Sequence, residues 1–153
     1  MTTPSQHNFP TEEEFRILLK KHSLKATRQR LAVHRVMTGL GHASADMVSE
    51  ELSRRGGTRV TVASVYNILS QLADCRIYSR RMSGNNKMYF DVNPSRHIHL
   101  YDRENNTYRD VYDEELTDLI RSRLKKRKFK GFTVEDIDIQ LIARPTKKTR
   151  PAL

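Results

Sequence analysis

Cysteine is nearly absent from this sequence: Cys75 is the single one among 153 residues. One thiol excludes an internal disulfide framework and any zinc site built from several thiolates. Such sparse use also fits a reducing, cytoplasmic setting. Tryptophan is absent, and hydrophobic residues make up only 37% of the chain, enough for a modest core. No apolar run approaches the roughly 20 residues that a membrane span needs. The opening segment MTTPSQHNFP lacks the basic-then-apolar order of a secretory signal. Acidic side chains are short as well: 18 against 28 Lys and Arg, a formal charge of +10. That excess points to a polyanionic partner, either nucleic acid or an anionic membrane surface. The length favours one compact domain or two small ones, not a large enzyme.

The charge is spread along the chain. Residues 1–92 carry a net +6 and residues 93–153 a net +4. The densest run, KKRKFK at Lys125–Lys130, reads either as a solvated helix end whose cations offset the C-terminal dipole or as a nucleic-acid contact. Residues 1–10 read as a disordered N-terminal arm, and residues 144–153 as a basic C-terminal tail.

Helix signals dominate the first half. Thr11 with Glu14 forms a capping box ahead of a helix to about His22. Thr27 opens a second helix, with Leu31, His34, Val36, Met37 and Leu40 at near-helical spacing. Ser44 caps a third, ADMVSEELSRR, which Gly56-Gly57 stop. Thr61 caps a fourth, VASVYNILSQLADC. There Val62, Val65, Ile68, Leu69 and Leu72 form one buried face, and Ser64, Asn67, Ser70 and Gln71 form the other, with Tyr66 at the flank. The period then changes. IYSRRM and KMYFDV are strand-like runs around the turn signal Ser83-Gly84-Asn85-Asn86. Three helices and a hairpin, with one extra helix in front, describe a winged-helix DNA-binding domain over residues 11–92. The third and fourth helices are its helix-turn-helix, and the fourth enters the major groove. Arg80, Arg81 and Lys87 on the wing are candidates for phosphate contact, and Lys25, Arg80 and Lys87 for backbone or minor-groove contact. A generic helical bundle carrying a hairpin is the plainer alternative, which the net charge of this half disfavours.

Residues 93–143 read as a small α/β domain. HIHLYD and TYRDVY flank a turn at residues 103–106. DEELTDLIRSRLKKRK is a helix capped by Asp113, with Leu116, Leu119, Ile120 and Leu124 on one face, stopped by Gly131. FTVEDIDIQLIAR is a strand in which Ile137, Ile139 and Leu141 alternate. Such a unit is too small for a robust core of its own, which implies a dimerisation role. The fold class expected is therefore α+β, a winged-helix DNA-binding domain followed by an α/β dimerisation and metal-binding domain.

His97 and His99 sit i, i+2 on a strand, so both imidazoles share one face. With the hairpin turn at residues 103–106, His99 stands opposite Asp110, which joins the pair. Asp91 precedes His97 by six residues, across the turn at Pro94. His42, in the loop before the third helix, completes the candidates. Three imidazoles and two carboxylates with no thiolate suit Fe(II) or Mn(II), and Zn(II) is the competitor. The plainer reading makes Asp91 and Asp110 ion-pair partners for the many arginines.

Several segments together resemble the ferric-uptake-regulator family of bacterial metal-dependent repressors. LKATRQRLAV is similar to that family's second-helix entry, HASAD (residues 42–46) to its loop before the third helix, and TVASVYNIL (residues 61–69) to its recognition helix. YFDV followed by HIH resembles the segment entering its regulatory metal site. The likeness spans about residues 11–143. It implies a homodimer that binds an operator in double-stranded DNA and no membrane. It places DNA contact on Tyr66, with Ser64 and Asn67 on the same helix. It implies one regulatory Fe(II) or Mn(II) site per subunit on His42, Asp91, His97, His99 and Asp110, with Zn(II) possible. Asp110 and Asn67 resemble the peroxide-sensing branch, in which peroxide oxidises a ligating histidine (matching His42 and His99) and DNA is released.

Two departures stand out. Where many members hold a structural zinc through paired C-x-x-C motifs, this sequence has Asp102 and Asn105 at the first pair and lacks the second, so no four-cysteine structural zinc is expected. Arg96, Ile98 and Ile137 occupy ligand positions of a further metal site found in some members. Cys75 reads as a small buried hydrophobe. The expectation is thus a repressor and not an enzyme. A zinc-sensing or metal-independent DNA-binding protein is the alternative, and a mononuclear iron enzyme a remote one.

Overall fold

The computed structural model describes residues 9–93 and 97–147. The chain divides into two compact units, residues 1–94 and 95–153. The first contains α1 (Glu12–Lys21), α2 (Arg28–Leu40), β1 (His42–Ser44), α3 (Ala45–Arg55), α4 (Val62–Asp74), β2 (Ser79–Met82) and β3 (Met88–Asp91). The second contains β4 (Ile98–Asp102), β5 (Thr107–Val111), α5 (Glu114–Lys125) and β6 (Gln140–Ala143). The class is α+β, as expected.

Side-chain caps set the helix starts. Thr11, Thr27, Ser44, Thr61 and Asp113 each accept the N–H three residues on, satisfying one of the donors that a helix start leaves open. At α1 the capping box is modified: the Thr11 hydroxyl donates to the Glu14 carboxylate at 3.1 Å. Gly41 and Gly56 end α2 and α3 at φ 74°, in the left-handed region where a side chain is strained.

One continuous core holds the first unit. Phe15 and Leu19 of α1, Val33 and Met37 of α2, Val48 of α3, Val65, Leu69 and Leu72 of α4, and Phe90 of β3 are all fully buried. A polar pin crosses this core. His34 Nε2 donates to the Pro10 carbonyl at 2.8 Å, and Nδ1 accepts from the Tyr78 hydroxyl at 2.6 Å. The same ring stacks on Phe15 at 4.0 Å. One side chain therefore ties the extra N-terminal helix and the approach to β2 to α2. Spacing alone treats His34 as one more residue of a helix face.

The first sheet has the order β1-β3-β2, both pairs antiparallel. The sequence reads as loop at β1. The segment becomes a strand because Gly41 turns the chain out of α2 directly alongside β3, where Val92 N–H bonds the Gly41 carbonyl at 3.2 Å. Val62, expected in the buried face of α4, is instead 44% exposed. The buried stripe is Val65, Leu69 and Leu72; Val62, in the first turn, lies past the edge of the core. Cys75 caps the C-terminus of α4 and is half-buried rather than buried.

The second sheet has the order β5-β4-β6, with β4/β5 antiparallel and β4/β6 parallel. α5 ends at Lys125, short of the expected helix end. The expected strand over FTVEDIDIQLIAR shrinks to Gln140–Ala143. Its ladder on β4 begins where His99 meets Gln140, so the residues before Ile139 have no strand to pair with inside the unit. α5 buries none of its residues, and Leu116, Leu119, Phe132, Leu141 and Ile142 stand exposed. The expected arm over residues 1–10 lies mostly outside the described residues, as do Arg96 and the end of the C-terminal tail.

Burial draws the His34 pKa below its ordinary 6.5, against the opposing pull of the Pro10 carbonyl and Glu12. In the unfolded chain His34 takes up a proton below about pH 6.5, while the folded protein resists it. Stability tied to this group is therefore full above that pH and lost as pH falls. His34→Phe keeps the stacked ring but leaves the Tyr78 hydroxyl and Pro10 carbonyl without it, at about 1–3 kcal/mol. Urea unfolding at pH 7 and pH 5 should show a less stable variant with a smaller loss between the two pH values.

Candidate functional site

In the first unit the β1–β3 register sets His42 directly opposite Asp91. Opposed residues share a face of the sheet, and His42 Nδ1 lies 3.3 Å from Asp91 Oδ2. The other oxygen of Asp91 accepts the Asn93 N–H at 2.8 Å. That bond curls the chain at the end of β3 and fixes the carboxylate, which is 3% exposed.

In the second unit the β4–β5 register is the one expected, with His99 opposite Asp110 and Asp102 opposite Thr107. His97 Nε2 lies 3.0 Å from Asp110 Oδ1, and His99 Nε2 lies 3.9 Å from the same oxygen. The two imidazole rings are 4.2 Å apart. All three side chains are at least nine-tenths buried. Two imidazoles and a carboxylate converging away from water need a compensating cation, either a proton or a metal ion. Each can supply one ligand atom to a single ion. This nitrogen and oxygen set without thiolate fits Fe(II), Mn(II) or Zn(II).

The DNA candidates fall on one unit and differ in availability. Tyr66 is 44% exposed and packs edge-on against Phe90 with centroids 6.0 Å apart. Asn67 beside it is exposed. Ser64 is half-buried, and its hydroxyl accepts from Thr61 at 3.0 Å while keeping its own proton to donate. Lys87 is exposed, with its ammonium 4.0 Å from Asp46. Val62, Tyr66, Asn67, Asp46, Lys87 and Met88 border a groove of about 330 Å³ between the starts of α3 and α4 and the wing. Lys25 is exposed, and its carbonyl accepts from Arg30 at 2.7 Å. Arg80 is engaged within the protein: its guanidinium pairs with Asp74 at the end of α4. Arg30, which sequence reasoning did not single out, donates to Gln71 of α4 at 2.7 Å and so ties α2 to that helix.

A helix-turn-helix with a wing, followed by a β/α unit carrying a buried His/Asp cluster, defines the class of metal-responsive DNA-binding regulators. The chain belongs to the ferric uptake regulator family, whose sequence pattern matches residues 21–141. Members of this family are transcription regulators and not enzymes. The fold is similar to that of the Vibrio cholerae ferric uptake regulator, with TM-score 0.70 and 22% identity over 86% of this chain and 99% of that one. It is also similar to the Pseudomonas aeruginosa ferric uptake regulator solved with manganese, with TM-score 0.68 and 23% identity over 84% of this chain and 96% of the other. The Helicobacter pylori ferric uptake regulator, described with three functional metal-binding sites, gives TM-score 0.67 and 20% identity over 88% of each chain. No curated protein matches the sequence. Among the described residues no helix is long and apolar enough to cross a membrane.

Asp91→Ala removes both the acceptor of the Asn93 N–H and the group facing His42. The metal-free protein should lose about 1–3 kcal/mol, read as a lower urea midpoint. Asp91→Asn keeps an acceptor oxygen and should lose less.

Proposed function

We propose that the protein is a homodimeric, metal-dependent repressor that binds an operator in double-stranded DNA and senses Fe(II) or Mn(II) through one His/Asp site per subunit. The observation that carries this reading is the buried pair of imidazoles, His97 and His99, facing one oxygen of Asp110. His42 and Asp91 of the first unit supply the remaining ligands. Zn(II) competes for the same ligands with the higher intrinsic affinity, so in this reading site geometry and metal supply select Fe(II) or Mn(II). The sequence holds one cysteine, so no four-cysteine structural zinc takes part.

A bound divalent ion supplies positive charge to a cluster rich in acceptors and fixes the geometry of its ligands. Ligation by side chains from both units sets the angle between residues 11–92 and residues 93–143. In a two-fold dimer that angle sets the separation of the two α4 helices, which must match half-sites on the duplex. Metal affinity and operator affinity are then coupled reciprocally. Tyr66, Asn67 and Ser64 face base edges, while Lys25, Lys87 and Arg80 meet phosphates, Arg80 by exchanging Asp74 for a phosphate oxygen. Support for the dimer comes from the apolar side chains that the second unit leaves exposed, Leu116, Leu119, Leu141 and Ile142. A partner copy buries them.

The aspartate at position 110 favours a second reading, peroxide sensing, in which oxidation of His42 or His99 releases DNA. A peroxide pulse on the Fe(II)-loaded protein, followed by mass spectrometry, separates the two readings. Added oxygen on either histidine supports peroxide sensing, and its absence leaves a plain metal sensor.

His99→Ala should abolish Mn(II)-dependent operator binding in a mobility-shift titration. Unchanged binding at the same Mn(II) concentration would sink the switch. Lys87→Ala should weaken binding to all DNA sequences alike and lower the slope of log K against log salt by about 1.

A further inference from the structure

His99 has two ring nitrogens, and each meets a carboxylate. Nε2 faces Asp110 at 3.9 Å. On the opposite side of the ring, Nδ1 lies 3.8 Å from Oδ1 of Asp138. Asp138 stands in the segment leading into β6, which neither the spacing of ligands nor the family resemblance singles out.

The backbone explains why it is there. The His99 N–H bonds the Ile139 carbonyl at 3.0 Å, and His99 is in register with Gln140. Residues two apart on an extended segment share a face, so Asp138 continues the face of Gln140, which is the face of His99. The parallel β4/β6 pairing thus carries a carboxylate to the back of a buried imidazole. A histidine that ligates through Nε2 keeps its proton on Nδ1, and that N–H needs an acceptor which also fixes the ring plane. The carboxylate on that side is more than half exposed, at 56%. A modest rotation of so accessible a side chain closes 3.8 Å to hydrogen-bond distance.

We propose that Asp138 is a positioning residue for the metal site: its carboxylate accepts the Nδ1–H of His99 and holds Nε2 toward Asp110 and the ion. This rests on the metal-site reading above. Asp138 is not itself a ligand, because it approaches the nitrogen that points away from Asp110.

The experiment titrates Mn(II) into the full-length wild-type protein and the Asp138→Ala, Asp138→Asn and His99→Ala variants, and records the Co(II) absorption spectrum of each. Wild type is expected to take one Mn(II) per chain. Asp138→Ala should keep that stoichiometry and the Co(II) band positions and intensities, while its Mn(II) affinity falls about 10–100-fold. Asp138→Asn, which retains an acceptor oxygen, should recover most of that loss. Unchanged thermal midpoints of the metal-free variants would separate positioning from folding. The inference is overturned if Asp138→Ala binds Mn(II) within about twofold of wild type while His99→Ala does not bind, against the loss expected of such a partner. It is overturned equally if the Co(II) bands of Asp138→Ala change as they do on losing a ligand, which would make Asp138 part of the inner set. Equal Mn(II) uptake by wild type and His99→Ala would instead remove the metal-site reading itself.

Discussion

In each of the two sheets an antiparallel ladder sets a histidine directly opposite an aspartate. β1 and β3 place His42 against Asp91; β4 and β5 place His99 against Asp110. Cross-strand pairing is a rigid way to bring two short side chains together, since the backbone bonds on either side fix the register and the pleat fixes the face. A slip of one residue in either ladder would turn the aspartate to the opposite face. The helices, caps and core of the first unit hold β1 and β3 to one register, and β6 flanks β4 on the side away from β5. Chemistry depends here on register before it depends on any loop.

The two units keep these registers by different means. The first has an apolar core in which nine side chains from α1, α2, α3, α4 and β3 reach complete burial, and truncating a Phe, Leu or Met among them would cost about 2–5 kcal/mol. Its charged surface adds little. The bidentate Arg35–Glu12 pair at 3.0 Å and the Glu51 pairs with Arg54 and Arg55 lie at the surface, where such contacts contribute little. The second unit has almost no apolar interior. Among its described residues only Ile98, His99 and Tyr101 are buried as whole residues, with the side chains of His97 and Asp110 enclosed beside them, so a substantial part of its interior is the His/Asp cluster itself. A unit built this way gains stability from whatever neutralises the cluster and covers its apolar face. In the proposed reading, a metal ion and a second subunit would be linked to its folding as well as to its output.

The first unit is readable because each of its helices begins with a capping side chain, because α2 and α3 end at glycines, and because helical and strand periods are distinct. The His99–Asp110 opposition was readable from turn length alone, since an antiparallel hairpin fixes its own register. What stayed hidden were pairings between distant segments. β1 is three residues long and exists only because β3 lies beside it. The bond of His34 to Tyr78 links residues 44 positions apart. Val62 belongs to the helical stripe by spacing but lies where the core ends. Asp138 comes to His99 through a parallel pairing, and no local pattern encodes a parallel partner.

Parallel pairing also explains how the proposed sensing and dimer-forming faces could belong to so small a unit. β4 is central: β5 supplies Asp110 from one edge, and the segment entering β6 supplies Asp138 from the other. In the proposed dimer, a change in how β6 packed against a second subunit would be transmitted, through the His99 N–H bond to Ile139, to the back of a proposed ligand. The same hydrogen bond runs in the other direction, so a ring held by an ion biases the strand that a partner copy would cover. Metal and dimer would then act on one strand register.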